Sequence, residues 1–217
     1  AVSTRPGAPN VDQLEENRRL LPALQKIRAE FQEIMISVDT YRSEIAKMAV
    51  AEGANLINDI SAGSFDKNMF SVVANAGVPY IAMHIQGTPQ NMQLNPSYGN
   101  VVAEVRDFLT EQAHQAKSQG VATVIIDPGF GFGKTVDHNF QLLKNLETFT
   151  DTGYPVLAGI SRKSMINKIL GTKPKNALNG TTVLHTIALL KGVRILRAHD
   201  VKEAVEAVKL VDKYLEV

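Results

Sequence analysis

Six short apolar runs recur along the chain, separated by longer segments whose apolar positions follow a helical period. Each run is rich in β-branched residues, too short for a helix and too uniformly apolar for a half-exposed strand. The pattern therefore predicts buried parallel strands. The runs cover residues 34–38, 56–60, 80–84, 124–127, 156–160 and 194–198.

The segments around these runs are amphipathic and predict helices. Five strands are preceded by a glycine, where the end of a helix needs a left-handed residue. Strand ends recur about every 32 residues, the length of a βα unit. We find no break in composition, and residues 1–217 are interpreted as one domain. The helical segments are 11–31, 42–52, 67–75, 101–119, 138–148, 181–191 and 201–215, and the glycines are Gly53, Gly77, Gly120, Gly153 and Gly192.

Polar or charged residues follow nearly every predicted strand, which bears on the fold class. In an open doubly wound sheet they would be spread along an edge, whereas in a (β/α)₈ TIM barrel they meet at one mouth. We therefore predict an α/β fold of the (β/α)₈ barrel type. About six of the eight strands are visible, and the sequence opens on a segment typical of a loop, so we expect its first one and a half to two βα units to be missing.

Composition narrows the classes of function. The 217 residues carry a net charge of only +1, which gives no support for a nucleic-acid partner. The absence of cysteine excludes thiolate metal sites, disulfides and a cysteine nucleophile. No apolar run is long enough for a membrane span, and no signal peptide is visible. We expect a cytoplasmic protein that acts on small molecules, with no membrane partner.

The segment from Asp127 to Lys134 (Asp-Pro-Gly-Phe-Gly-Phe-Gly-Lys) follows a predicted strand and precedes a helix. It fails the Walker A pattern at Pro128 and the dinucleotide pattern at Lys134. We interpret it as a loop whose glycines let the backbone approach a flat ligand, with Phe130 and Phe132 covering that ligand. The alternative is a glycine-rich turn with phenylalanines in the core.

Asp39, Asn58 and Asp127 each end a predicted strand. Carboxylates accept hydrogen bonds in pairs, so this set suits a heterocycle that presents N–H and NH₂ donors. Capping of the following helix is the competing role for Asp39. We interpret Asp59 as a structural residue. His84 could either contact a ligand or be a packed polar residue of the core, and the sequence favours neither.

The last two predicted strands end in cationic groups. Arg197 and His199 alternate along one strand and so point to the same side, where they would form an anion site. Lys163 would add a point charge or a donor to a ring carbonyl. The alternative is solvated charge at strand ends. No spacing resembles a protein zinc site, and any metal would be Mg²⁺ carried with phosphates.

Residues 3–7 (Ser-Thr-Arg-Pro-Gly) form a loop-like segment bounded by proline and glycine. A hydroxyl pair and an arginine there could close over an anionic substrate. A frayed terminus without a role is equally compatible with the residues.

Seven segments together resemble the dihydropteroate synthases, a family of (β/α)₈ barrels targeted by sulfonamides. They occur in the family's order across nearly the whole chain. They are residues 3–7, 37–40, 57–60, 83–89, 127–134, 159–164 and 197–201.

The resemblance implies a transferase of folate biosynthesis that condenses 7,8-dihydropterin-6-ylmethyl diphosphate with p-aminobenzoate, releasing pyrophosphate. It also implies a homodimer. Asp39, Asp127 and Lys163 would be catalytic. The implied pterin contacts are Asp39, Asn58, Met83, Asp127, Gly159 and Lys163; the diphosphate contacts are Thr4, Arg197 and His199; and the p-aminobenzoate contacts are Arg5, Pro6, Phe132, Lys163 and Ser164.

The sequence departs from the family in one respect. The Asn-Val-Thr-Pro-Asp-Ser-Phe segment of the first strand is absent, and with it the asparagine that binds Mg²⁺. The resemblance implies Mg²⁺ as the cofactor. Because that asparagine is absent, no metal ligand is expected in this chain. The alternatives are a pterin-binding methyltransferase domain that serves a corrinoid, and a catalytically silent pterin-binding protein.

Overall fold

The computed structural model describes residues 3–4, 7–8 and 11–217, and its six strands form one curved parallel sheet. Four strands pair in the order β1-β2-β3-β4, and β5 pairs with β6. A bridge between Ile126 and Val156 joins the two groups. The strands are β1 (Ser37–Asp39), β2 (Leu56–Asp59), β3 (Tyr80–Met83), β4 (Val124–Asp127), β5 (Leu157–Ala158) and β6 (Ile195–Leu196).

Helices connect successive strands in the right order for βα units. The predicted helices are present, but one of them is divided into two and one further helix occurs. The helices are α1 (Gln13–Glu30), α2 (Ser43–Ala51), α3 (Met69–Ala76), α4 (Val101–Ser118), α5 (Val136–Lys144), α6 (Glu147–Thr150), α7 (Ser164–Leu170), α8 (Leu178–Leu190) and α9 (Val201–Leu215), with a 3₁₀ turn at Pro174–Asn176. No helix in the described part of the chain is long and apolar enough to cross a membrane.

Strands β1, β5 and β6 are shorter than the sequence predicts. Ile34 and Met35 were expected in a buried strand, but their exposed fractions are 45% and 74%. They precede β1, which has a strand neighbour on one side only. The ladder between β1 and β2 begins at Ser37 and Leu56, so Ile34 and Met35 have no partner on that strand.

The predicted helix 138–148 is two helices, α5 and α6, and α7 was not predicted at all. Helix α7 spans only seven residues and ends at Gly171, which adopts a left-handed φ of +63°. A helix of two turns gives too few repeats for its periodicity to be read. The five glycines that were predicted to end helices all have positive φ.

The sheet is strongly curled, as a barrel requires. In a flat sheet β2 and β6 would lie about 19 Å apart, since neighbouring strands are spaced about 4.8 Å. Yet Nη1 of Arg197, just after β6, lies 3.4 Å from Oδ1 of Asn58 on β2. An arginine side chain cannot span the flat distance, so the described strands form an arc that bends back on itself.

The inward face of the arc carries two layers of side chains. Alternate residues of a strand point to the same face, so a residue and its second neighbour contribute to successive layers. The lower layer is an apolar cluster of Leu56, Ile81, Ile125, Leu157 and Ile195. Two residues further along each strand come Asn58, Met83, Asp127, Gly159 and Arg197, which form the upper layer at the carboxyl ends of the strands.

The outward face of the sheet packs against the helices in the main core. Val38, Ile57 and Tyr80 belong to this core and are at most 4% exposed. Tyr80 donates a hydrogen bond of 2.8 Å to Asp59, which also accepts from Ser61. Asp59 is fully buried, so these bonds compensate its burial, and the predicted structural role of Asp59 agrees with them.

A buried ion pair fastens α1 to the start of α2. Glu16 on α1 is 1% exposed and pairs with Arg42, while Thr40 donates to the same carboxylate at 3.2 Å. Arg42 also donates to the carbonyl of Val11 at 2.7 Å. These contacts fix the point at which the N-terminal segment joins the barrel.

We expect Arg42→Ala to lower the free energy of unfolding by about 3–5 kcal/mol, because it leaves the Glu16 carboxylate buried without its partner. Arg18→Ala is the matched control, since Arg18 pairs with Glu15 at the surface with a side chain 74% exposed, and should cost less than about 1 kcal/mol. Urea denaturation measures both. Equal losses in the two variants would contradict the role given to the Glu16 pair.

Candidate active site

Asp127 ends β4 and is fully buried at the carboxyl end of the sheet. One carboxylate oxygen accepts the backbone N–H of Gly129 at 2.8 Å. The other accepts from Nη2 of Arg197, also at 2.8 Å. A buried carboxylate needs a positive partner, and Arg197 supplies it from two strands away.

Arg197 is the centre of the upper layer. Besides Asp127, its guanidinium contacts Oδ1 of Asn58 at 3.4 Å and Sδ of Met83 at 3.8 Å. Its side chain keeps 36% of its surface exposed, so a ligand in the barrel mouth can reach it. The residue predicted for the anion therefore touches three of those predicted for the heterocycle.

Gly159 makes this arrangement possible. A Cβ at residue 159 would lie 2.6 Å from Nη2 of Arg197 and 3.1 Å from its Cζ. The guanidinium lies directly over the backbone of β5, where only glycine leaves room. Gly159 therefore allows Arg197 to reach Asp127.

Asp39 ends β1 and faces the same layer, next to Asn58. The protein packed around it raises its pKa, whereas the charge of Arg197 and a hydrogen bond with Asn58 oppose that rise. The residue nevertheless keeps part of its surface exposed to solvent. Asp39 is accordingly a carboxylate within reach of both protein partners and a ligand.

Lys163 precedes α7 and extends over the loop that follows β4. Its ammonium donates to the carbonyl of Phe130 and lies 4.6 Å from the ring centre of Phe132. Burial lowers the pKa of Lys163 to about 7; the charge of Asp127 opposes this fall, and that of Arg197 adds to it. Near neutral pH this side chain exists both as an ammonium and as an amine.

The chain matches known proteins over nearly its whole length. The family described as pterin binding enzyme matches residues 1–199. The dihydropteroate synthase of Escherichia coli is 41% identical over 215 residues, which are 98% of this chain and 76% of that protein. That of Synechocystis is 41% identical over 213 residues, covering 97% of this chain and 73% of that protein. The chain belongs to the dihydropteroate synthase family.

Solved structures agree with this assignment. The dihydropteroate synthase of Yersinia pestis, solved with a sulfonamide drug complex, superposes with a TM-score of 0.93 at 36% identity, over 99% of this chain and 78% of that one. The Thermus thermophilus enzyme in complex with 4-aminobenzoate gives 0.91 at 41% identity, over 97% and 80%. The predicted family, barrel fold and transferase class are confirmed.

Two glycines of the 127–134 loop, Gly129 and Gly133, do not have the role that the sequence suggested, whereas Gly131 faces the side chain of Lys163. A Cβ on Gly129 would overlap the carbonyl oxygen of His84, and one on Gly133 would lie 2.6 Å from that of Gln86. Both glycines also have positive φ. They let this loop pack against the backbone that follows β3, rather than approach a ligand.

The two phenylalanines in residues 127–134 differ in their surroundings. Phe130 is fully buried in the main core, so the interpretation that it covers a ligand is wrong, and the core alternative applies. Phe132 is half-buried, packs against a second cluster that includes Met83, and faces Lys163. It remains available to the mouth of the barrel.

The buried position of Lys134 was not predicted from the sequence. It is 3% exposed, and its Nζ lies 2.9 Å from Nδ1 of His84 and donates to the carbonyls of Gly129 and Phe132. Burial lowers the pKa of Lys134, and burial together with the Lys134 charge lowers that of His84 to about 2. His84 is thus packed polar core, and Lys134 holds the loop in shape.

The remaining predicted residues lie at the rim. His199 is exposed and contacts Ser161, and Ser164 is the exposed first residue of α7. Thr4 is half-buried, but no hydrogen bond among the described residues joins it to Arg197 or His199. Arg5 and Pro6 lie outside the described residues.

The donors at this site do not suit a protein-held Mg²⁺. Mg²⁺ prefers oxygen ligands, whereas two of the three predicted diphosphate contacts, Arg197 and His199, offer only nitrogen, and Thr4 alone offers an oxygen. No group of three or more histidine and carboxylate side chains comes together among the residues that the structure describes. These residues therefore do not form a cage for the ion.

We expect Gly159→Ala to reduce turnover at least tenfold, because its methyl group displaces Arg197 from Asp127. Gly99→Ala is the matched control: Gly99 has an ordinary φ, and the nearest atom to its Cβ is 3.5 Å away. Steady-state rates with thermal melts measure both. Unchanged turnover in Gly159→Ala would show that the position of Arg197 is not needed.

Lys163 should titrate near neutral pH. We expect its Cε resonance, assigned by its absence in Lys163→Gln, to show a midpoint near 7 in a ¹³C NMR titration, whereas surface lysines titrate near 10.4. Because the unfolded lysine binds its proton up to the higher value, the Lys163 contribution to stability should rise with pH between the two. A midpoint above 9 would contradict the burial described here.

Proposed function

We propose that this protein condenses 7,8-dihydropterin-6-ylmethyl diphosphate with p-aminobenzoate and releases pyrophosphate, the reaction of its family. The observation that carries this assignment is the upper layer of the barrel. It combines buried acceptors, Asp127 and Asn58, with a cation, Arg197, in direct contact with both. A heterocycle with an attached diphosphate requires that combination.

The pterin half of the substrate would lie on the carboxyl ends of β1, β2 and β4. Its ring N–H and NH₂ groups are donors, and carboxylate and amide oxygens accept them. Asp127 uses one lone pair on each oxygen for Gly129 and Arg197, so further lone pairs remain for a ligand. Asn58 is 2% exposed and points into the same space. Met83 and Gly159 complete the surface beneath the ring.

The diphosphate would lie towards β6. Arg197 offers a guanidinium that can bind two phosphate oxygens at once, and His199 adds a donor two residues further along. Thr4 is proposed to support the same anion from the N-terminal segment. Positive charge at this end stabilises the leaving diphosphate as the carbon–oxygen bond breaks.

The chemical step is a substitution at the pterin methylene. The amine nitrogen of p-aminobenzoate donates its electron pair to that carbon, and the pair of the breaking carbon–oxygen bond leaves on the diphosphate. The amine then loses a proton to solvent. Asp39 and Asp127 favour the positive charge that develops on the pterin during this step.

The p-aminobenzoate pocket would be bordered by Lys163, Phe132 and Ser164. Support comes from the contact between the Lys163 ammonium and the Phe132 ring, and from the exposed position of Ser164 at the start of α7. Lys163 would also donate to the pterin ring. Arg5 and Pro6 are proposed to complete this pocket, as the family resemblance implies.

Mg²⁺ is proposed as an ion that enters with the diphosphate, whose oxygens suit it, rather than as an ion held by side chains of this chain. Its chemistry would be to neutralise charge on the leaving group. The homodimer and the cytoplasmic location remain predictions from the sequence.

Asp127→Asn tests the proposed function. An amide cannot replace a charged double acceptor, and a hydrogen bond to a charged group is worth about 1.5–3 kcal/mol, so turnover should fall roughly 10- to 150-fold. Asp137→Asn, on the exposed face of α5, is the control and should keep wild-type rates. The measurement is pyrophosphate release that depends on p-aminobenzoate.

Two results would contradict the assignment. Near wild-type turnover in Asp127→Asn would remove Asp127 from the pterin site. A wild-type protein that binds the pterin but releases no pyrophosphate would favour one of the alternatives, a methyltransferase domain or a silent pterin-binding protein.

A further inference from the structure

Ser161 and His199 connect the loops that follow β5 and β6. Ser161 is 4% exposed, and its Oγ accepts the backbone N–H of His199 at 3.2 Å. The same oxygen lies 3.0 Å from Nδ1 of the His199 ring. One buried hydroxyl thus contacts both the backbone and the side chain of the same residue.

The direction of these bonds follows from the number of protons available. A serine hydroxyl has one proton to donate, and the backbone N–H of His199 can only donate. Among the described residues, Nδ1 of His199 is the one acceptor within hydrogen-bond distance of Oγ. A buried hydroxyl proton is costly to leave without a partner, so it points to Nδ1.

A ring whose Nδ1 accepts a hydrogen bond carries its proton on Nε2 when it is neutral. Nε2 lies on the edge of the ring opposite Ser161. His199 is exposed at the mouth of the barrel, so this N–H is available to a ligand. The other neutral form would instead present a lone pair, which repels a phosphate oxygen.

We propose that Ser161 is a positioning residue, which orients the His199 ring and fixes Nε2 as the nitrogen that carries the proton when the ring is neutral, so that this donor is available to an anion in the mouth. The part that concerns the anion rests on the proposed function, whereas the ring form does not. Orientation of a histidine by a partner on its other nitrogen is a general device for fixing which edge acts.

The neighbouring contact keeps the two loops together without Ser161. Arg162 donates from Nε to Asp200 at 2.9 Å and pairs with the same carboxylate through its second nitrogen. The backbone N–H of Arg162 also donates to Thr181 at 3.0 Å. Removal of the Ser161 hydroxyl should therefore free the His199 ring while the loops stay joined.

A double-mutant cycle measures whether Ser161 acts through His199. The variants are Ser161→Ala, His199→Ala and the pair, and the readout is the affinity for inorganic pyrophosphate by calorimetry at constant Mg²⁺. We expect Ser161→Ala to weaken binding roughly three- to tenfold when His199 is present, the worth of one ordinary hydrogen bond. In the His199→Ala background the same change should cost less than about twofold.

The ring form is measured directly by long-range ¹H–¹⁵N NMR of histidine-labelled protein. The wild type should show His199 as the Nε2–H form, and Ser161→Ala should show a mixture of both neutral forms. Thr186→Val is the matched control, because it removes a half-buried hydroxyl that donates only to the carbonyl of Thr182 within α8 and touches neither loop. It should leave the His199 ring form unchanged.

Two outcomes would overturn the proposal. One is a wild-type His199 with its proton on Nδ1. The other is an equal loss of pyrophosphate affinity from Ser161→Ala with and without His199, since that is what a purely structural role produces. A wild type that does not bind pyrophosphate would instead refute the diphosphate site of the proposed function, and the NMR result would still decide the role of Ser161.

Discussion

The ion pair between Asp127 and Arg197 is the constraint that links the fold to the site. Asp127 is fully buried, and an unpaired charge there would cost several kcal/mol. Its partner Arg197 follows β6, two strands away, and the curl of the sheet brings the same guanidinium to Asn58 on β2 as well. Gly159 leaves the strand between them bare enough for the guanidinium to cross. The buried charge of Asp127, the position of the Arg197 guanidinium and the lack of a side chain at residue 159 therefore depend on one another.

Much of the fold could be predicted because its cues are local. A buried strand is a short apolar run, and its end is marked where a polar residue such as Asp39, Asn58 or Asp127 interrupts the run. Alternation along a strand then places these residues on one face. The errors occurred where a contact beyond the strand decides the outcome: Ile34 and Met35 are exposed and precede the point at which β1 pairs with β2.

The site was predicted less completely, because its supporting contacts connect distant parts of the chain. Lys134 meets His84 across 50 positions, and no periodicity reports such a pair. The glycines at 129 and 133 were recognised as special, but the reason is a neighbouring backbone rather than a ligand. The sequence pattern shows that glycine is needed at these two positions. Only the folded structure shows which atoms occupy the space that a side chain would fill.

The low pKa of Lys163 also makes its amine more reactive than those of the lysines on the surface. At pH 7 an ordinary lysine is unprotonated in roughly one molecule in 2,500, and each unit by which burial lowers the pKa of Lys163 raises that fraction about tenfold. Only the unprotonated amine is a nucleophile. An electrophile shaped to enter the barrel mouth would therefore form its covalent bond at Lys163 in preference to the many lysines on the surface, which makes this residue a natural attachment point for irreversible inhibitors.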